Sequence, residues 1–435
     1  MTTDLSAPAP VPSRGYALWR FWALSMTLVA VALAGIALRL WLTQPIETLA
    51  APPVPPPPVP AEPPPDRLDL APASFADLPG WSDDALAEAL PALAHSCRRW
   101  AGGGTSILGV AGGDWAPFCA RLARLGARDT EALRQAVEQE LRPFLGSNHG
   151  DTSGLFTGYY EPLLRGSRRR SARYHVPLYL RPGDIITIDL GEFRDDLKGK
   201  KLAGRLSGSK LLPYHDRAAI EAGALARRRL ELVWVDDPID AFFLQVQGSG
   251  RVEMAEGGTL RVGYAGGNGH PYYAIGKELL ARGIPPEQVS MQSIRRFLLD
   301  HPQEAEAVMN KNPSYVFFRR LDGDGPLGAM GVALTPGRSL AVDPKFLPLG
   351  TPLFLDATSP NPDATQPDRP LQRLLVAQDT GGAITGPLRG DVFWGHGPEA
   401  AEVAGRMKNR GRVWLLLPKN TVPLAPSPPA PTRPP

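Results

Sequence analysis

A proline-rich segment near the N-terminus divides the chain, because it can form neither a helix nor a sheet. Residues 51–65 read APPVPPPPVPAEPPP, and ten of these fifteen residues are proline. Proline has a fixed φ and no N–H donor, so the segment stays extended, at about 3.1 Å per residue or roughly 45 Å in all. We therefore expect a spacer, followed by a folded body of about 350 residues.

The region before this spacer contains an apolar run from Phe21 to Leu38, with 18 residues and no charge. Such a run is at the short end of what spans a bilayer, and Arg14 and Arg20 before it favour a cytoplasmic N-terminus. A cleaved signal peptide is the alternative. Arg39 and bulky side chains follow the run, however, where a cleavage site needs small residues. We expect an uncleaved anchor and an exported body.

Two cysteines bear on the location of the body. No cysteine precedes Cys97, so the sequence offers no lipid-modified cysteine of the kind that anchors outer-membrane lipoproteins. We therefore expect a single-pass protein of the inner membrane with its body in the periplasm. Export permits a disulfide between Cys97 and Cys119, but the sequence leaves their pairing open. Two cysteines are too few for a disulfide scaffold or a cysteine-rich zinc module.

The composition argues against several classes of ligand. The chain has 47 Lys and Arg against 44 Asp and Glu, and this net charge of +3 argues against a dedicated nucleic-acid binder. The histidines are scattered, and no HxxxH or CxxC pair indicates a metal site. No glycine-rich loop stands between a strand and a helix as nucleotide binding requires. We expect no metal and no cofactor.

The folded body changes its pattern along the chain. Helical spacing of apolar residues dominates until about residue 150, and short β-like runs broken by Gly and Pro follow from Thr157. Such strands are typical of barrels rather than of a parallel sheet with crossover helices. The run FLQVQGSG reads as a strand in which Gln245 and Gln247 share one face. Pro398 and Gly411 predict the start and the C-cap of a late helix.

Two aspartates in the last third of the body stand out. In VAQDTGGAITGPLRGDVFWG, Asp379 ends an apolar run before two glycines, and Asp391 precedes Val-Phe-Trp. A carboxyl group among aromatic residues has a raised pKa, as a general acid needs. Aspartate beside glycine is also common in turns, and by composition alone that reading is the commoner one.

Several segments together resemble the family of membrane-bound lytic murein transglycosylase A. They are FTGYYEPLLRGS, DAFFLQVQGSGRV, VGYAGGNGHPYYAIGK, SMQSIRRFL, NPSYVFF, VDPKFLPLGTPLFL and the segment from VAQDTGG to VWLLLPK. They occur in the family's order between Gly154 and Lys419. The resemblance implies a mainly β fold with helical segments, in which a second, smaller β-barrel domain is inserted into a double-psi β-barrel domain. A groove between the two domains would hold the substrate.

Anchor, spacer and resemblance together predict how the chain is divided. We expect a cytoplasmic N-terminus at 1–20, a transmembrane anchor at 21–42, a proline-rich linker at 43–67, a discontinuous double-psi domain at 68–162 and 321–418, an inserted barrel at 163–320 and a disordered tail at 419–435.

The resemblance also implies a reaction and its residues. The family cleaves the β-1,4 bond between N-acetylmuramic acid and N-acetylglucosamine in peptidoglycan and forms 1,6-anhydromuramic acid ends. Its catalytic aspartate corresponds to Asp391, which would act as acid and then as base, and its second acidic position corresponds to Asp379. Contacts with the glycan strand fall on residues in two segments, namely Thr157, Gly158 and Tyr160, and Gln245, Gln247 and Ser249.

Three other functions compatible with these residues remain open. A double-psi barrel can bind wall polysaccharide without cutting it, by analogy with other proteins of that fold. A lysozyme-type hydrolase would use Asp379 and Asp391 as a working pair. A scaffold for cell-wall synthesis or division proteins rests only on the anchor and the proline-rich segments, and the sequence identifies no such partner.

Overall fold

The computed structural model consists of two units, residues 1–64 and a body that begins at Pro65. It describes residues 26, 31–42, 64–103, 106–126, 129–323 and 325–421. In the first unit, residues 31–42 are helical and exposed. No helix among the described residues is both long and apolar enough to cross a membrane. The predicted cytoplasmic N-terminus at 1–20, parts of the predicted anchor, most of the linker and residues 422–435 of the tail lie outside the described residues.

The body is mainly β with short helices, as the sequence predicts. Its strands, numbered in chain order, are β1 (Asp69–Pro72), β2 (Leu141–Ser147), β3 (Gly154–Glu161), β4 (Leu163–Ser167), β5 (Val176–Tyr179), β6 (Ile186–Asp189), β7 (Lys201–Ser207), β8 (Lys210–Pro213), β9 (Glu231–Val235), β10 (Ser249–Met254), β11 (Thr259–Gly267), β12 (Val316–Arg320), β13 (Ser339–Val342), β14 (Pro352–Ser359), β15 (Arg369–Asp379), β16 (Arg389–His396) and β17 (Lys408–Pro418). Its helices are α1 (Leu90–Trp100), α2 (Ala116–Leu122), α3 (Thr130–Glu140), α4 (Arg217–Ala219), α5 (Pro238–Gln247), α6 (Gly276–Ala281), α7 (Met291–Asp300), α8 (Pro302–Met309) and α9 (Pro398–Arg406).

The larger domain is a closed barrel built from both ends of the body. Its sheet has the order β1-β2-β17-β14-β15-β13-β16-β3, and β17 also pairs with β3. That pairing closes a ring of six strands, with β1 and β2 as an extension beside β17. The pairs β13–β15 and β3–β16 are parallel, and the other pairs of the ring are antiparallel.

The smaller domain is inserted between β3 and β13. Its six-stranded sheet has the order β12-β11-β10-β4-β9-β5. A bridge between Leu180 and Phe318 joins the end of β5 to β12 and closes this sheet as well. The strands β6, β7 and β8 form a separate three-stranded sheet. The chain therefore folds as a β domain with a second, smaller β domain inserted, which confirms the predicted fold class.

One apolar core joins the larger barrel to the helices that precede it. Phe156, Leu340 and Val392 point into the barrel, and Phe118 and Leu133 of α2 and α3 belong to the same buried cluster. Burying one such side chain contributes about 1.5–3 kcal/mol, so this shared core holds the helices on the barrel. A disulfide between Cys97 and Cys119 links α1 to α2 and answers the question that the sequence left open.

A buried ion pair ties the start of the body to the barrel. The side chain of Arg338, which is 1% exposed, donates to Asp84 and to Glu88. Asp84 also accepts a hydrogen bond from the backbone N–H of Leu374 in β15, at 2.7 Å. All these partners are needed, because a buried charge without a partner is costly.

Two predicted elements differ from those observed. The run containing Gln245 and Gln247 is the end of helix α5, not a strand. Asp237 caps this helix and Pro238 occupies its first turn, and these signals outweigh the alternating pattern. Helix α9 ends at Arg406 rather than near residue 410, because Lys408–Arg410 already pair with β3.

Gly411, which the sequence assigns to a helix C-cap, lies within β17. A Cβ there would come within 2.7 Å of the Ala357 Cβ on β14, so glycine permits the close approach of two strands.

The folded body extends beyond both predicted boundaries. The sequence places residues up to 67 in the linker, but Pro65 O lies 3.0 Å from the ring of His149. The predicted tail begins at 419, yet the Lys419 N–H donates to Glu140 O, and Thr421 is buried. Hydrogen bonding of these backbone groups fixes them on the body, which therefore reaches from Pro65 to at least Thr421.

Candidate active site on the outer face of the larger barrel

Four residues form one row across four adjacent strands of the larger barrel. Asp391 on β16 pairs with Thr157 on β3 and, on its other side, with Ala341 on β13. Ala341 in turn pairs with Asp379 at the end of β15. Phe156, Leu340 and Val392, which neighbour this row along β3, β13 and β16, belong to the barrel core, so strand alternation places the row on the outer face.

A β-bulge brings Asp379 into that row. The register between β13 and β15 shifts between Leu340 and Ala341, so Leu340 pairs with Ala377 and Ala341 pairs with Asp379. In a regular strand, Asp379 would share the inward direction of Ala377. The extra residue, Gln378, re-aims the carboxylate to the outer face.

Asp391 has few partners and a raised pKa. The Thr157 hydroxyl donates to Asp391 Oδ1 at 2.6 Å. Burial raises the pKa of Asp391 to about 6, while the hydrogen bond from Thr157 and the positive charge of Arg389 oppose the rise. The negative charge of Asp379 adds a smaller increase. A carboxyl group of this pKa is able both to donate and to accept a proton near neutral pH.

Asp379, in contrast, has both carboxylate oxygens occupied. Its Oδ1 accepts from the backbone N–H groups of Ala329 and Thr380, at 2.8 and 2.9 Å. Its Oδ2 accepts from the Tyr159 hydroxyl at 2.8 Å. Burial raises the pKa of Asp379, and these hydrogen bonds oppose the rise. The arrangement holds the carboxylate in place and leaves it little freedom to react.

The two aspartates lie on β16 and β15, and β13 lies between these two strands. At about 4.8 Å for each pairing, their Cα atoms lie about 10 Å apart. Tyr159 on β3 reaches Asp379 through its hydroxyl, and its ring packs against Phe393 on β16 with centroids 5.2 Å apart. The two carboxylates therefore occupy separate environments on one face.

A cavity of about 300 Å³ lies between the barrel and the inserted domain, and Thr157, which donates to Asp391, forms part of its wall. Thr157 and Gly158 line it from the barrel, and Gln247 and Tyr272 line it from the insert. Burial raises the pKa of Tyr272, and the negative charge of Asp391 adds to that rise. The carboxylate charge of Asp391 therefore disfavours ionisation of Tyr272. The cavity is an open groove whose walls come from both domains.

The structure brings four of the predicted contact residues to this groove or its edge. Thr157 and Gly158 line it directly. A Cβ on Gly158 would lie 2.7 Å from the Trp394 ring, so only glycine lets that ring cross the strand here. The Tyr160 N–H donates to Gln247 Oε1 at 2.9 Å, which links the barrel strand to the insert wall.

The other two predicted contact residues are placed differently. Gln245 is 6% exposed, and its Oε1 accepts from the buried Arg217 at 2.9 Å. That bond holds the interior of the insert together, so Gln245 does not face the groove. Ser249 is buried at the start of β10. Both positions follow from the family resemblance, and the predicted strand that placed Gln245 beside Gln247 is in fact the end of helix α5.

Three residues of the site were missed by the sequence reasoning. Arg389 donates to the Thr157 hydroxyl at 2.9 Å, Tyr159 holds Asp379, and Tyr272 lines the groove. Arg389 and Tyr159 lie two residues from Asp391 and Thr157 along their strands, so strand alternation would have placed them on the same face. Nothing local in the sequence indicates Tyr272.

The described part of the chain contains no group of three or more His, Cys, Asp or Glu side chains placed to hold a metal ion.

Comparison with known proteins agrees with this architecture. A family model described as the MltA specific insert domain matches residues 155–319, and one described as the 3D domain matches residues 338–417. Membrane-bound lytic murein transglycosylase A of Escherichia coli (strain K12) is 33% identical over 291 residues, which cover 66% of this chain and 72% of that protein. The chain belongs to the MltA family. The two matches divide where the fold does, since the first ends with the inserted domain and the second begins at β13.

Solved structures extend the MltA likeness to nearly the whole body. A membrane-bound lytic murein transglycosylase from Agrobacterium tumefaciens is 35% identical, with a TM-score of 0.72, and the match covers 81% of this chain and 98% of that one. Escherichia coli MltA with bound chitohexaose is 28% identical, with a TM-score of 0.59, and the match covers 81% of this chain and 94% of that one. These MltA proteins share the arrangement of the body described above.

Proposed function

We propose that this chain is a peptidoglycan lytic transglycosylase, which cleaves the β-1,4 bond between N-acetylmuramic acid and N-acetylglucosamine and leaves a 1,6-anhydromuramic acid end. The environment of Asp391 carries the proposal. This carboxyl has a pKa raised to about 6 and accepts a hydrogen bond from Thr157, which lines a groove between two domains. The names of the relatives, and the chitohexaose bound by one of them, support a glycan substrate.

In the proposed reaction Asp391 acts twice. Its protonated form donates to the glycosidic oxygen, the bond from that oxygen to C1 of the muramic acid breaks, and N-acetylglucosamine leaves with a hydroxyl group. The C6 hydroxyl of the muramic acid then attacks C1, and the Asp391 carboxylate takes the hydroxyl proton. No water is consumed and Asp391 returns to its starting form. The nucleophile belongs to the substrate, so much of the entropic advantage is already present.

The state of Asp379 favours this scheme over a lysozyme-type hydrolase. A retaining glycosidase needs a carboxylate nucleophile about 5–5.5 Å from the acid, and an inverting enzyme needs a base that activates water. Asp379 already accepts three hydrogen bonds from the protein. We propose that Asp379 fixes Tyr159 and the loop containing Ala329 behind the catalytic row, and that it adds negative charge near the oxocarbenium-like centre.

The predicted contact residues take different roles in this proposal. Thr157 holds Asp391 and limits how far its pKa rises. Gly158, Gln247 and the bridge from Tyr160 shape the wall along which one sugar ring would lie. Gln245 and Ser249 support that wall from inside the insert. Tyr272 offers an aromatic face and a hydroxyl group, both suited to a sugar.

We further propose that residues 163–320 form the inserted domain, and that 68–162 with 321–418, extended to Pro65 and Thr421 by the contacts described above, form a larger barrel of double-psi arrangement. Pro162 separates β3 from β4, and the Leu321 N–H donates to Arg261 O where the chain leaves the insert. The two parallel pairs in the ring support the double-psi assignment.

For location, we propose the periplasmic face of the inner membrane. The charge-free run at residues 21–38, the arginines before it and the disulfide in the body support this address. Separation of inner and outer membranes, followed by immunodetection of the full chain, tests it. Recovery with the outer membrane would contradict the proposal.

The reaction is tested with the full chain, purified in detergent and incubated with isolated peptidoglycan. Mass spectrometry of the released muropeptides should give products one water lighter than hydrolysed muropeptides, with no reducing muramic end. The Asp391→Asn protein should release none, while its circular dichroism stays that of the wild type. Near-normal turnover by that variant would refute the assignment of Asp391.

Other products would identify the competing functions. Reducing muramic ends would indicate a hydrolase, and Asp379→Asn would then abolish activity as completely as Asp391→Asn. Retention on the peptidoglycan without any product would indicate a binding protein. In that case Asp391→Asn should leave retention unchanged.

A further inference from the structure

We propose that Arg389 is a positioning residue, which acts through Thr157 to place the acidic proton of Asp391 on Oδ2. The inference rests on the proposed function, since it concerns how Asp391 is prepared for its two proton transfers. It starts from a chain of two hydrogen bonds, from Arg389 Nη2 to Thr157 Oγ1 at 2.9 Å and from Thr157 Oγ1 to Asp391 Oδ1 at 2.6 Å.

The guanidinium group of Arg389 is held in a fixed orientation by the backbone. Its Nη1 donates to Leu155 O at 3.2 Å and also to Gly390 O. These acceptors lie on β3 and β16, the two strands that carry Thr157 and Asp391. The planar fork of arginine can satisfy them while its second nitrogen reaches Thr157, and the single ammonium group of lysine cannot reproduce that geometry.

This fixed donor determines the direction of the Thr157 hydroxyl. The guanidinium has only donors, so Thr157 Oγ1 must accept from it, and the one hydroxyl proton is directed elsewhere. Among the described residues, Asp391 Oδ1 is the acceptor that this hydroxyl reaches. Oδ1 therefore accepts from Thr157 in both protonation states, and the acidic proton resides on Oδ2.

Two consequences follow for the reaction. The same oxygen, Oδ2, both delivers the proton to the glycosidic oxygen and receives the proton from the C6 hydroxyl, so Asp391 need not rotate between the steps. The carboxylate formed after the first step is stabilised by Thr157 and by the charge of Arg389, which keeps the pKa low enough for the cycle to continue.

Among the groups described around Asp391, Arg389 supplies the positive charge. Those that interact with Asp391 come from its own strand, from β3, from β15 and from the insert: Arg389, Thr157, Tyr159, Asp379 and Tyr272. Asp379 is negative when ionised and the tyrosines are neutral below their raised pKa values. Removing Arg389 therefore changes the pKa of Asp391 in one direction, upward.

The test compares Arg389→Met, Arg389→Lys and Thr157→Val with the wild type on soluble glycan strands across a range of pH. Protonated Asp391 starts the reaction, so kcat falls at alkaline pH as this carboxyl loses its proton. The midpoint of this alkaline limb of the pH profile therefore follows the pKa of Asp391. For Arg389→Met we expect this limb to move up by about one pH unit. The plateau of kcat should fall about tenfold or more, with little change in KM.

The other variants separate charge from geometry. Thr157→Val should also move the limb upward, because it removes the hydrogen bond to Oδ1. Arg389→Lys should keep the limb near its wild-type position, because the charge remains, and should lower kcat because the fork is lost. Arg410→Met is the matched control, since Arg410 is an exposed arginine on β17 outside this chain of hydrogen bonds.

A second measurement does not depend on activity. The stability difference between each protein and its Asp391→Asn partner, followed against pH, reports the pKa of Asp391, and its midpoint should rise by about one pH unit in Arg389→Met. If the wild type forms no anhydro product, the proposed function fails, and this titration still tests Arg389. If the wild type is active but neither the limb nor the midpoint moves, the positioning role is refuted.

Discussion

Replacing Asp391 by asparagine should stabilise the protein at neutral pH, although the same change removes the proposed acid. Burial raises the pKa of this carboxyl from 3.8 to about 6, so the folded protein resists its ionisation. The unfolded chain ionises it freely. The folded state therefore binds more protons than the unfolded state between these two values, and stability from this group is lost as the pH rises through that window.

The magnitude follows from the two pKa values. At about 1.36 kcal/mol for each pKa unit, the full difference is about 3 kcal/mol. Linkage gives a cost of about 1.5 kcal/mol at pH 5 and about 3 kcal/mol at pH 8. Asparagine carries no charge at either pH and keeps an oxygen that accepts from Thr157. The variant should thus exceed the wild type in stability by an amount that grows with pH.

Urea unfolding of both proteins at about pH 5 and pH 8, followed by tryptophan fluorescence, measures this difference. Asp322→Asn is the matched control, because the Asp322 side chain is 85% exposed and its removal should change stability by no more than about 0.5 kcal/mol at either pH. Asp379→Asn should not stabilise the protein, because it disturbs a carboxylate with three hydrogen bonds. An Asp391→Asn advantage that is absent, or equal at both pH values, would refute the desolvation of Asp391.

Three further perturbations test parts of the fold that support the site. Reduction, or a double change of Cys97 and Cys119 to alanine, opens a loop of 22 residues and should lower the unfolding free energy by about 3 kcal/mol in urea titrations; an unchanged midpoint would contradict the disulfide. Gly158→Ala places a methyl group 2.7 Å from the Trp394 ring and should cost about 1–3 kcal/mol together with a loss of activity, whereas wild-type stability would show that the ring moves freely. Arg338→Met leaves a buried carboxylate unpaired and should cost about 3–5 kcal/mol by the same titration; a cost below about 1 kcal/mol would show that the pair is not desolvated.

The positions of the site show how far local patterns reach. Asp379 stands out because it ends an apolar run before two glycines, and Asp391 because it precedes Val-Phe-Trp. The family resemblance then assigns them roles. Gln245 shows the opposite case, because alternation suggested a strand whereas the cap at Asp237 produces a helix. A run of seven or eight residues satisfies either period, so the decision depends on caps and on what packs nearby.

The sequence by itself determined the class of fold, the proline-rich division of the chain and the family, because hydrophobic spacing, Gly and Pro breaks and ordered motifs act over short distances. Tertiary structure alone decided which side chains meet. Thr157 and Asp391 are 234 residues apart and touch only because β3 and β16 pair in register. A single bulge at the end of β15 turns Asp379 from the core to the outer face. Such contacts depend on long-range strand pairing, in which a shift of one residue reverses every side chain, and no local pattern specifies that register.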